Sequence, residues 1–217
     1  MGSVGNRDNI AVADTEDSLR ISLEKARHTL LSGGIVGFPT ESFYGLAVDI
    51  ENEEAIERLF SIKKREKNKP LLIILPNLNS LERYAENVSD QALKLKEEFW
   101  PGGLTMLFKA NPVVSTLLTA GTGKIGIRYS SHPLATSLAV SINRPVTGTS
   151  ANISGHLPCT RAEEVHEYFG KTVDLILDAG RTKGGKGSTI LDVTKEPPEI
   201  LREGIVLKEE IERITGQ

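Results

Sequence analysis

The stretch Gly33-Gly34-Ile35-Val36-Gly37-Phe38-Pro39-Thr40-Glu41-Ser42-Phe43-Tyr44-Gly45-Leu46-Ala47-Val48-Asp49 constrains the fold more than any other. The paired glycines stop a helix, a short apolar strand follows, and Leu46-Ala47-Val48 returns to apolar sequence. Two segments that seek burial therefore flank Pro39-Thr40-Glu41-Ser42, which carries hydroxyls and one carboxylate. Pro39 fixes φ, while Gly37 and Gly45 permit close approach of a backbone or a ligand. A turn pinned between core strands is a rigid place for a binding site, and ordinary turn chemistry is the other reading.

The rest of the chain interleaves helices and strands. Asp14 is a candidate N-cap for a helix with Leu19, Leu23, Ala26 and Leu30 on one face. Asn52 caps a second helix, with Ala55, Ile56, Leu59, Phe60 and Ile62 in register. Strands are expected over 71–75, 104–108, 125–128, 145–148, 174–177, 189–193 and 200–202. Residues 76–99 read as two helices, the second capped by Ser89, and further helices fall at 133–142, 161–169 and 207–214. Strands and helices interspersed in this way predict an α/β fold with a mixed sheet covered on both faces. No repeat or low-complexity linker divides the chain, so residues 15–217 read as one domain behind a flexible tail, 1–14.

Composition excludes several classes. A net charge of −3 supplies no global field for nucleic acid, so any phosphate binding must come from a local patch. The single cysteine, Cys159, allows no intramolecular disulfide or cysteine-based zinc site and fits a reducing, cytoplasmic compartment. No apolar run approaches the ~18 residues of a membrane span, and the first residues carry no secretory signal.

Four places could carry chemistry. Lys63-Lys64-Arg65-Glu66-Lys67-Asn68-Lys69 holds five cations in seven residues and runs into Pro70 and a buried strand. It is either a solvated helix end or a phosphate-binding segment. Thr149-Ser150-Ala151-Asn152 follows a strand and can bind polar ligand groups or cap a turn. Gly180 and Gly185-Lys186 imitate a P-loop, but Gly187 follows and then a strand, so no helix N-terminus faces a phosphate there. A glycine loop that closes over a ligand and ends at Ser188 stays open. Arg128 and Arg202 each end a strand, where a guanidinium can clamp carboxylate or phosphate. The histidines, His28, His132, His156 and His166, lack metal-ligand spacing, and no nucleophile triad or carboxylate pair stands out. Positioning and charge neutralisation, not covalent catalysis, are expected.

Together and in order, these motifs resemble the YrdC-like family of threonylcarbamoyl-AMP synthases. The matching segments are Phe38-Pro39-Thr40-Glu41-Ser42-Phe43-Tyr44-Gly45-Leu46, Lys63-x-Arg65 with Pro70-Leu71, Trp100-Pro101-Gly102-Gly103-Leu104-Thr105 and Gly126-Ile127-Arg128. Thr149-Ser150-Ala151-Asn152-Ile153-Ser154-Gly155, Ser188-Thr189-Ile190 and Leu201-Arg202-Glu203-Gly204 complete the set. The resemblance implies a twisted mixed β-sheet with helices on both faces, enclosing a large, positively lined cavity.

It also implies a reaction: L-threonine, bicarbonate and ATP give threonylcarbamoyl-AMP and pyrophosphate. A tRNA threonylcarbamoyl transferase then modifies the adenosine beside the anticodon. By the family pattern Thr40, Arg128 and Ser188 would hold threonine, with Arg128 on its carboxylate. Lys63, Arg65 and Lys69 would hold the ATP phosphates and the carbamate, and Ser150, Asn152 and Arg202 the nucleotide. Mg2+ would accompany ATP, with no protein-bound metal site. The chain departs from the pattern at Ser42-Phe43, at Gly103, and in lacking a histidine near Ile74. It reads as the short form, without a second domain. The rival readings are an RNA-binding paralogue without threonine-dependent activity, which leaves an RNA contact open, and a carbamoyl-transferring relative.

Overall fold

A computed structural model describes residues 8–216. In chain order it runs β1 (Ile10–Val12), α1 (Glu16–Leu31), β2 (Val36–Pro39), β3 (Tyr44–Ala47), α2 (Glu53–Ile62), β4 (Leu72–Ile74), α3 (Leu81–Tyr84), β5 (Ala85–Glu86), α4 (Asp90–Phe99) and β6 (Leu104–Ala110). It continues α5 (Thr116–Thr119), β7 (Lys124–Arg128), α6 (Pro133–Ser141), β8 (Val146–Thr147), β9 (Thr149–Ser150), α7 (Ala162–Phe169), β10 (Leu175–Asp178), β11 (Thr189–Asp192), β12 (Glu199–Arg202) and α8 (Lys208–Thr215).

Local chemistry explains the boundaries. The side chain of Thr15, not of Asp14, caps α1, accepting from the Ser18 N–H at 3.2 Å. Asn52 and Ser89 cap α2 and α4 as expected, accepting from Ala55 and Ala92 N–H. After α1 the chain turns through Gly33 at φ +79°. A Cβ on Gly34 would lie 2.5 Å from the Thr29 methyl, so the turn into β2 requires that glycine too.

The expected single mixed sheet is two. The first has the order β1-β10-β2-β3-β9, and the second β12-β11-β6-β7-β4-β8, with β5 on β6. Each mixes parallel pairs (β10 with β2, β4 with β7) and antiparallel ones (β2 with β3, β6 with β7). The chain passes between them at Gly148. Val146 and Thr147 pair with β4, and two residues later Thr149 and Ser150 pair with β3. A Cβ on Gly148 would lie 2.6 Å from Leu72 Cδ1 and 2.9 Å from Ile74 Cδ1, so a larger residue at the pivot would make both side chains shift. Sequence periodicity does not show such a one-residue change of partner.

The tail expected over 1–14 also needs correction. Residues 1–7 lie outside the described residues, but Ile10-Ala11-Val12 pairs parallel with β10. Two β-branched residues flank Ala11 and extend the sheet by an edge strand. Core cover lies on both faces of β2–β3. Val36, Phe38 and Ala47 pack toward Leu30, Leu134 and Leu138 of α1 and α6. Tyr44, Leu46 and Val48 belong to the larger cluster with α2 and α7.

Candidate active site

A cavity of about 920 Å3 lies over one face of the second sheet, and its floor is a run of neighbouring strands. Arg202 stands opposite Ile190, and Ile190 opposite Thr105. Leu107 stands opposite Gly126, and Gly126 opposite Leu72. At Gly126 a Cβ would press on Leu72 and Thr105, so glycine keeps the floor low. The first sheet contributes Tyr44, Gly45 and Ser150, and Thr40 and Ser42 stand in the polar turn.

Five cations line this space, Arg65, Lys69, Arg128, Lys186 and Arg202, against one carboxylate, Glu203, which pairs with Lys186 at 3.0 Å. Arg128 and Arg202 feel each other's charge. Burial holds the Arg202 pKa below its ordinary value, and the Arg128 charge lowers it further. An anion between the two would relieve that repulsion. Arg202 is aimed by the Ser188 carbonyl, to which its Nε and Nη2 donate at 3.2 and 2.7 Å. Thr105 Oγ1 bonds Ser188 Oγ at 2.9 Å. Arg65 braces its own turn, donating to the Lys69 and Pro70 carbonyls.

The structure thus brings Thr40, Arg65, Lys69, Arg128, Ser150, Ser188 and Arg202 around one cavity. Lys63 and Asn152 do not line it. Lys63 is only 2% exposed, and its Nζ donates to the carbonyls of Ser150 and of Asn152, the latter at 2.7 Å. Burial, then the Arg65 charge, pulls its pKa down to about 7, with Cys159 opposing. The Asn152 amide is spent on the Ile153 and His156 carbonyls, and its Oδ1 accepts from Ser150 Oγ. These two side chains shape the loop that presents Ser150.

Lys186, Thr105 and Glu41 were not assigned from sequence. Thr105 lies in the cavity floor. Glu41 grips the 130–132 loop, accepting at Oε1 from Ser130 Oγ (2.6 Å), Ser131 N–H (2.5 Å), Ser131 Oγ (3.2 Å) and His132 N–H (3.3 Å). Its Oε2 lies 3.3 Å from Arg128 Nη2. The signal in the sequence was its place as the only carboxylate of the polar turn.

The glycine-rich segment 179–188 is tied down. Gly180 O accepts from Tyr44 Oη, Thr182 N–H donates to Thr160 O, Gly184 N–H donates to Ser42 O, and Gly187 O accepts from Ile205 N–H. At Gly204 a Cβ would overlap the Gly187 carbonyl oxygen and lie 2.5 Å from Ser188 C and Thr189 N. Gly204→Ala is therefore expected to lower Tm by roughly 5–10 °C through overpacking against backbone. An unchanged melting curve by circular dichroism would show that the strands can part without cost.

Among the described residues no group of three or more His, Cys, Asp or Glu is placed to hold a metal ion. No described helix is long and apolar enough to cross a membrane.

A basic, hydroxyl-lined cavity is set across the strands of an α/β fold. The chain belongs to the Sua5/YciO/YrdC family: the model Sua5_yciO_yrdC, described as "Telomere recombination", matches residues 28–204. It is 37% identical over 185 residues to the threonylcarbamoyl-AMP synthase of Pyrococcus abyssi, covering 85% of this chain and 54% of that protein. It is 35% identical to the threonylcarbamoyl-AMP synthase of Vibrio vulnificus, covering 84% of this chain and 98% of that protein. The crystal structure of P. abyssi Sua5 complexed with L-threonine superposes with a TM-score of 0.89 at 35% identity, covering 95% of this chain and 61% of that one. The chain spans about half the length of the P. abyssi synthase.

Proposed function

We propose that this chain is a threonylcarbamoyl-AMP synthase. The observation that carries the reading is a cavity with five cations against one carboxylate, beside the hydroxyls of Thr40, Ser42, Thr105, Ser150 and Ser188. Relatives named for this activity over most of this chain's length support it.

The amine of L-threonine and bicarbonate condense to a carbamate with loss of water. A carbamate oxygen attacks the α-phosphorus of ATP, the α–β bridging bond breaks, and pyrophosphate leaves. Attacker and target are both anions, so fixed cations must screen their repulsion in the transition state. Arg128, which lines the cavity, faces the threonine carboxylate with its guanidinium. Arg65, Lys69 and Arg202 face the phosphates and carbamate, and Ser150 the nucleotide. A Mg2+ carried by the triphosphate would supply further neutralisation beside Arg65, Lys69 and Arg202. Lys63 acts from beneath, through the loop it anchors. The product passes to a tRNA threonylcarbamoyl transferase, and the one cysteine, a buried thiol, fits cytoplasmic work.

The test is pyrophosphate release from ATP by purified protein with bicarbonate and threonine, serine or no amino acid. Release that requires both threonine and bicarbonate is expected. Threonine-independent behaviour, from folded protein that still binds ATP, would move the assignment to an RNA-binding paralogue.

A further inference from the structure

Arg128 ends β7 with 4% of its surface exposed. Its one ion pair among the described residues is with Glu41, from Nη2, and its Nε–H is buried with no hydrogen-bond partner. Arg128 also lines the cavity, and a guanidinium there is set for a ligand only if its plane cannot swing. Glu41 is held hard enough to prevent that. One carboxylate oxygen collects four donors from residues 130–132, and the other, Oε2, lies 3.3 Å from Arg128 Nη2 without a hydrogen bond of its own, so Glu41 restrains the guanidinium as a fixed counter-charge. His132, whose Nδ1 is also buried and unpartnered, stands beside the same carboxylate. Burial holds its pKa below the ordinary value, so a neutral ring there leaves Arg128 as the carboxylate's cation.

We propose that Glu41 is a positioning residue that fixes the Arg128 guanidinium for the carboxylate of the amino-acid substrate. This rests on the threonine reading above. It assigns a task to the polar turn between β2 and β3 beyond closing that turn, and it links the turn to the loop that opens α6.

Glu41→Gln separates this task from simple packing. The Oε1 position faces only donors, so a glutamine must place its carbonyl oxygen there. Its NH2 then meets Arg128 Nη2, donor against donor, and turns the guanidinium away. The KM for threonine is expected to rise about tenfold, the effect of removing one charge-assisted hydrogen bond from the substrate, with kcat and the KM for ATP within roughly twofold. L-threoninamide, which lacks the carboxylate charge, supplies the second readout. The wild-type preference for threonine over the amide should shrink by the same factor in the variant. Ser130→Ala, which removes one donor from the grip, should move the same quantities less far.

Steady-state pyrophosphate release gives the KM values, and calorimetric titration with L-threonine gives direct binding. Active wild-type protein with an unchanged threonine KM in Glu41→Gln overturns the positioning role alone. So does a parallel rise in both KM values with a collapsed melting transition, since that is damage to the scaffold. Wild-type protein that neither turns over nor binds threonine overturns both this inference and the synthase reading.

Discussion

Arg128→Ala lowers kcat/KM for threonine by about two to three orders of magnitude, while ATP still binds. The size follows from truncating one member of a buried charge pair that also faces the ligand, a loss of roughly 3–4 kcal/mol. Two effects add. The substrate carboxylate loses its donor, and the Glu41 carboxylate is left buried beside only hydroxyl and N–H groups. Within the folded protein, Arg128 and the hydrogen bonds from Ser130 and Ser131 outweigh the burial that would raise the Glu41 pKa, and hold it low. Removing the arginine reverses that balance. Arg128→Lys keeps a charge but not the planar fork, so it should restore stability more than threonine affinity. Kinetics with each substrate varied in turn, beside thermal melts, separates the two. Near-normal threonine kinetics in Arg128→Ala would remove Arg128 from the site.

Lys63→Ala acts by another route. The side chain is buried, so its loss leaves a void, and the Asn152 carbonyl loses its Nζ–H donor. The cost is about 3 kcal/mol, enough to show in urea unfolding without unfolding the protein at 25 °C. Ser150 then drifts, and synthesis is lost although Lys63 touches no cavity surface. Lys63→Met refills the void without the donor. It should recover stability but not ATP affinity, and recovery of both would reduce Lys63 to packing. A pH signature accompanies this. With a folded pKa near 7, against about 10.5 when unfolded, the unfolded chain binds more protons between those values. This residue's contribution to stability therefore rises with pH from about 7 to 10.5 and is flat below 7. Lys63→Met should erase that rise when unfolding free energies at pH 7 and pH 9 are compared.

The parts of the site written locally were legible. The polar turn, the arginines at the ends of β7 and β12, and Arg65 and Lys69 of the cation run reach the cavity, because each sits beside a strand whose periodicity fixes its direction. What failed needed long-range geometry. Lys63 and Arg65 are two residues apart, and the chain turns between them at Lys64, φ +49°, so one side chain enters the core and the other faces the ligand space. The Glu41–Ser130 bond joins residues 89 apart in sequence, which no spacing rule reveals. The single sheet became two because one glycine, Gly148, hands the chain from β4 to β3.

The ties along residues 179–188 carry a consequence for traffic through the cavity. Composition there reads as a door, yet the backbone is fastened to Tyr44, Thr160, Ser42 and Ile205 in turn. Fastened so often, it behaves as a wall. Substrates must then come and go past the rim, where Leu157 stands 82% exposed, rather than under a rising flap. In hydrogen–deuterium exchange the amides of Thr182 and Gly184 should keep their protons far longer than a glycine-rich loop ordinarily does, with or without nucleotide present.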